Sequence, residues 1–300
     1  MARKVKSYDL FAAHGWYTPG VGGMFALLGW FLVGMLLGSV VQWIALAFVS
    51  QQTVLDYGMI VVYPIQFIPA MLYVARQSQR NALFEKGYAL DSASFAPFSP
   101  WAAAGLTLLA TVSGIFVFDL VNYANMQLTL RSPSLSEFYS VFMNLMKQLT
   151  GGPFWSSFLT VAIMAPIFEE WLCRGMVLRG LLVKMKPSWA IILSALFFAL
   201  IHANPWQALN AFLIGVLMGY IYYKTGSLKL TMLIHFINNG TAVILSHIES
   251  LKEYDFWIDI FGKTDYMIVF CLSAVVLGAT LWAFSRIPTH HPWGNMDPLE

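Results

Sequence analysis

The sequence predicts an all-α, polytopic membrane protein of about eight transmembrane helices enclosing a polar intramembrane cavity. Three observations carry this. Of 300 residues, 58% are hydrophobic and only 11% are charged, and the mean hydropathy is +0.66. Apolar runs recur along the chain at about the 20 residues needed to cross a bilayer. Several runs nevertheless hold carboxylates, histidines or an arginine. A central charge in a span costs about 2.5–3.5 kcal/mol on insertion scales, so such residues face a protein-lined or wet cavity. The composition excludes an ordinary soluble domain, and a net charge of +2 is too small to indicate nucleic-acid binding. The two cysteines, Cys173 and Cys271, lie inside apolar runs and make no disulfide framework; Cys173 reads as a small core residue.

Residues 1–20 mix Lys4 and Lys6 with Phe11, His14, Trp16 and Tyr17, the pattern of an interfacial segment with aromatic anchors. No short apolar stretch with a small-residue cleavage site follows, so the first run is a retained anchor and not a signal peptide. Spans are expected at roughly 22–49, 57–75 (kinked by Pro64 and Pro69), 101–126, 153–183, 188–203, 206–223, 228–248 and 266–286. A polar link covers 51–56 and a polar loop 76–99. The stretch 131–152, with Leu135, Phe138, Val141, Phe142, Leu145 and Met146 at helical spacing, reads as an amphipathic surface helix. Asp119 and Asn122 form a second polar pair in the third span, facing the lumen or the interface. Gly215 and Gly219 form a GxxxG pair that permits close helix approach. The chain divides into 1–150, with the interfacial segment and three spans; 151–248, with spans four to seven; and 249–300, with a polar loop, the last span and a tail. Lys and Arg concentrate in the N-terminus, 76–86, 179–186 and 224–229, which places both termini in the cytoplasm; Arg131 and Lys147 run against that count.

Three spans carry polar residues in helical register. The fourth holds Glu169, Glu170 and Arg174. Adjacent residues point about 100° apart. Arg174 shares a face with Glu170, four positions before it, at salt-bridge spacing. Glu169 is therefore the less neutralised carboxylate and the better candidate for proton chemistry. The fifth span holds Phe198 and His202, and the seventh holds His235 and Asn239 on one face, with Asn238 turned away. Counting from the hairpin turns brings Glu169 and His202 to similar depth, His235 nearer the cytoplasm, and Asn239 back toward the Glu169–His202 level. A carboxylate and a histidine at one depth can bind and deprotonate a water, while His235 and the Asn239 amide could stabilise an oxyanion. The same Glu169, His202 and His235 are alternative ligands for zinc, although HExxH is absent and the metal-free, cofactor-free version is favoured. A structural ion network among Glu169, Glu170 and Arg174 is the bland alternative.

EExxxR at Glu169–Arg174, FxxxH at Phe198–His202 and HxxxN at His235–Asn239, in this order, resemble the CAAX-protease and bacteriocin-processing family of intramembrane proteases, whose best-known members are type II CAAX prenyl endopeptidases. The run from Gly215 to Leu228 is similar to that family's linker between its second and third motifs. The resemblance covers roughly 150–248, and the first three spans carry no matching motif. It implies an eight-span fold, Glu169 as catalytic glutamate, His202 as its water-activating partner, and His235 and Asn239 as the oxyanion-stabilising pair. Glu170 and Arg174 take the supporting positions of the first motif. It implies a membrane-embedded or lipidated peptide substrate in a lipid bilayer, with no nucleic acid. Described members include both metalloproteases and metal-independent glutamate proteases. A bacterial inner membrane is the expected home. Two other classes stay open: a non-proteolytic immunity or scaffold protein, and a proton-coupled transporter, the latter without the inverted repeat such transporters show.

Overall fold

A computed structural model describes residues 14–81, 89–91, 93–150, 152–252 and 254–289, with the backbone alone over 142 and 144–150. The basic stretch of the first six residues, Phe11, Lys86, and the side chains of Phe142, Leu145 and Met146 lie outside the described residues. Among the described residues the regular structure is all helical, with no strand. After a 3₁₀ turn, His14–Trp16, come α1 (Val21–Ala45), α2 (Gln51–Asn81), α3 (Pro100–Leu130) and α4 (Pro133–Thr150). A continuous helix over 154–182, here α5, is followed by α6 (Pro187–Ile201), α7 (Pro205–Thr225), α8 (Leu228–Ser246), the short α9 (Trp257–Phe261) and α10 (Lys263–Ser285).

Local chemistry sets the boundaries. Asn204 accepts from the backbone N–H groups of Trp206 and Gln207 at 3.1 and 3.3 Å and is followed by Pro205, an N-cap with proline in the first turn. Gly226, at φ 64°, ends α7 in the left-handed conformation, and Ser227 then caps α8 through the N–H of Leu230. One expectation fails: 51–56 is not a link but the first turns of α2. Ser50 supplies the reason, since its Oγ accepts from Thr53 N at 3.1 Å and so caps the helix ahead of those polar residues. At 31 residues α2 is about 46 Å long and outruns a hydrocarbon core of about 30 Å. It stays one helix through Pro64 and Pro69.

Five helices, α1, α2, α3, α8 and α10, are long and apolar enough to cross a membrane. Helices α5, α6 and α7 form at the positions of the other three expected spans and supply much of the packed core. From Glu169 to Leu182 every residue of α5 is buried, so this half of the helix has no outward face. Around it the outer helices expose Leu36, Leu72, Leu272 and Val275, and α6 exposes Leu200. Trp43, Trp101, Trp155, Trp189 and Trp282 stand exposed near helix ends, as interfacial belts do. An apolar exterior around a polar interior makes this an integral membrane protein.

Close backbone approach fixes two of the contacts. A Cβ on Gly34 would lie 1.9 Å from the Gln66 carbonyl oxygen, and one on Gly38 2.6 Å from Val62, so α1 packs on α2 through a small-residue stripe. Gly215 and Gly219 bring α7 within reach of Ala195 and Ile191 on α6, the approach their spacing predicts.

Candidate active site

The two glutamates sit in a short α-helical stretch, Ala165–Glu170, between two π-helical ones, Phe158–Met164 and Trp171–Leu178. Such wide turns recur at functional sites. Pro166 helps to explain the first. In i→i−5 register Ala165 N bonds the Thr160 carbonyl, which leaves the Val161 carbonyl facing Pro166, a residue without an N–H. The amide of Asn239 fills that gap: its Nδ2 donates to Val161 O at 3.0 Å, and its own Oδ1 accepts from Asn238 at 3.1 Å. Asn239 therefore satisfies the backbone of the catalytic-motif helix two turns before Glu169, away from the level at which it was expected.

Glu170 is fully buried and shared. Arg174 Nη1 donates to its Oε1 at 2.7 Å, the pair that the four-residue spacing predicts, and His235 Nδ1 lies 3.0 Å from the same oxygen. Arg174 also donates to the Gly215 carbonyl at 3.1 Å and lies over the Phe198 ring, 4.4 Å from its centroid. The edges of His202 and His235 stand against the same ring, at 4.7 and 5.4 Å between centroids. Phe198 is thus the wedge that spaces both imidazoles and the guanidinium.

Glu169 is 9% exposed. Its Oε2 makes no hydrogen bond but lies 3.9 Å from His202 Nε2 and 3.8 Å from His235 Nε2. His202 Nδ1 is 2.7 Å from the Phe198 carbonyl, which can only accept, so the proton sits on Nδ1 and Nε2 of the neutral ring offers a lone pair. His235 is fixed the same way by the Glu170 carboxylate. Three acceptors therefore converge on one point. Between them these groups can accept both protons of a water bound at that point. His202 ends α6, and the next residue, Ala203, takes φ 50°, a left-handed turn uncommon without glycine, which lets the chain reverse into α7 within three residues. The side chain of His202 is 24% exposed, the accessible edge of the group.

Tetrahedral zinc with ligand bonds near 2.0–2.2 Å sets its donor atoms about 3.3 Å apart. The separations of 3.8 and 3.9 Å from Glu169 are wider. Among the described residues no group of three or more His, Cys, Asp or Glu side chains stands in metal-holding geometry. The residues as placed do not fit a closed metal site.

One contributor lies outside the expected motif spans. The hydroxyl of Tyr63, on α2, donates to Glu169 Oε1. A tyrosine directly before an in-helix proline was the available signal, and no motif flagged it. Asp119 and Asn122 are not brought to Glu169. Asn122 donates to Asn210 at 3.0 Å, and both residues line a separate cavity of about 410 Å³ with Asn238, Tyr139 and Trp257.

Residues 151–241 match the family described as type II CAAX prenyl endopeptidase, Rce1-like, a family of membrane proteases. No curated protein matches the chain, and no solved structure does.

Proposed function

We propose, from the match of residues 151–241 to the type II CAAX prenyl endopeptidase Rce1-like family, that this protein is an intramembrane endopeptidase that cleaves membrane-associated peptides with a glutamate- and histidine-activated water. The observation that carries the reading is the free Oε2 of Glu169, set within 4 Å of two imidazole nitrogens whose other edges are tied down. A water held between Glu169 and His202 loses a proton to this pair as its oxygen attacks the peptide carbonyl. The carbonyl oxygen gains charge in a dry site, where a donor counts for more than it does in water. His235, backed by the Glu170 carboxylate, is the donor placed for it once its Nε2 has taken a proton. Collapse of the intermediate returns the proton to the leaving amine. Asn239 supports the site through Val161.

A lipid-exposed exterior with a part-open His202 suits a substrate presented from the bilayer, a prenylated C-terminal peptide among the candidates. The distribution of Lys and Arg supports a cytoplasmic placement of both termini. The test is purified protein in detergent against a prenylated CAAX peptide and a panel of membrane peptides. Turnover that Glu169→Ala and His202→Ala each lower by roughly 10²–10⁴-fold is expected. Turnover by Glu169→Ala at the wild-type rate would refute the mechanism. Cleavage that dies on chelation and returns with stoichiometric zinc would replace the metal-free version.

A further inference from the structure

Tyr63 belongs to a part of the chain that the family match does not cover, yet it makes a direct side-chain hydrogen bond to the candidate catalytic carboxylate. We infer that Tyr63 is a positioning residue for Glu169: its phenol ties Oε1, so that Oε2 alone is presented to the two imidazoles. The inference rests on the proposed catalytic role of Glu169.

The packing around Tyr63 fixes the ring. Its centroid lies 5.6 Å from that of Phe67, which stacks at 5.3 Å on Phe168, the residue before Glu169, and meets Phe31 of α1 at 5.2 Å. Three helices are therefore joined by one aromatic ladder that reaches Glu169 from behind. On α1, Gly38 sits against Val62, next to Tyr63, and Gly34 against Gln66, about one turn after it, and they set how far α2 can retreat. A carboxylate without that bond could rotate about its terminal torsion, which is broad, and offer either oxygen to either histidine. Held by the phenol, it keeps one oxygen for structure and one for chemistry. Side chains locked by packing and outer hydrogen bonds are what hold a site to productive geometry.

Tyr63→Phe keeps the ladder and removes only the hydroxyl. The expected result is a fall of about 10- to 100-fold in kcat with KM unchanged, the size of one hydrogen bond to a charged group. In a Glu169→Gln background the same change should cost nothing further. Equal losses in both backgrounds would show a merely structural tyrosine. Infrared spectroscopy reads the contact without turnover. The carboxylate band that disappears in Glu169→Gln should shift in Tyr63→Phe, and an unmoved band overturns the inference. If no peptide is cleaved by the wild type, the functional reading fails while the infrared experiment still decides the Tyr63 contact.

Discussion

Two arginines on α5, little more than a turn apart, are both fully buried and are neutralised in opposite ways. Arg174 answers a carboxylate, Glu170, and through it a histidine of the site. Arg179 answers main-chain oxygens. It donates to the carbonyls of Gly15 and Tyr17 at 3.0 and 2.6 Å, to Gly175 at 2.6 Å and to His14 at 3.4 Å. One end of the helix uses its cation to order the candidate site, the other to clasp the N-terminal segment. That segment is also held by Trp171, which donates to His14 Nδ1 at 3.2 Å, and by Ser78, which donates to the His14 carbonyl. A buried cation is thus no guide to chemistry until its partner is known: a titratable partner can be built into a mechanism, and a carbonyl can only be occupied.

The largest effect that tests this contrast comes from the ion pair. Arg174→Met strands the Glu170 carboxylate in the core and should cost about 3–5 kcal/mol. Adding Glu170→Gln should restore much of the thermal stability in detergent without restoring cleavage, because His235 then loses its anchor. A double variant no more stable than the single one would break the contrast. Next in size, Arg179→Met leaves buried carbonyls without donors, at about 1–3 kcal/mol for each group left unsatisfied. Hydrogen exchange should rise across 14–20, while kcat stays within a few-fold. A collapse of kcat with an intact N-terminal segment would erase the distinction between the two arginines.

Acidification provides a smaller, graded test. Burial, and then the nearby Arg179 guanidinium, push the pKa of His14 down to about 4 from the ordinary 6.5. The undocked segment therefore binds the proton more readily. Docking is at full strength above about 6.5, weakens as the pH falls and levels off near 4. Hydrogen exchange at 14–20 followed against pH should show this slope, and His14→Gln should flatten it. The smallest change is Trp171→Phe, which removes one indole donor. It should cost about 0.5–1.5 kcal/mol and leave cleavage near the wild-type rate.

The helices and the three polar motifs were legible because each rests on local rules: apolar run length, four-residue spacing, and breaks such as Asn204–Pro205 and Gly226–Ser227. Spacing also predicted the Glu170–Arg174 pair and the α6–α7 approach. What escaped was set by distant partners. Arg179 counts among the positive charges of a cytoplasmic edge, yet the structure buries it under residues some 160 positions earlier. Tyr63 reads as one aromatic among many until α2 is laid against α5. The depth estimate that set Asn239 beside Glu169 assumed uniform α-helical rise from the hairpin turns, and the wide turns of Trp171–Leu178 lie inside that count.

Those wide turns let α5 carry a spare residue without losing register. Removing a single residue between 158 and 164 would rewind the stretch to ordinary pitch and leave the remainder of the helix facing nearly as before, because seven residues in wide turns sweep about the same angle as six at about 100° each. Both carboxylates would then still meet their histidines, whereas the same deletion in a stretch of ordinary pitch would carry them about 100° round. The place at which this helix is lengthened or shortened therefore matters more to the site than the total number of residues.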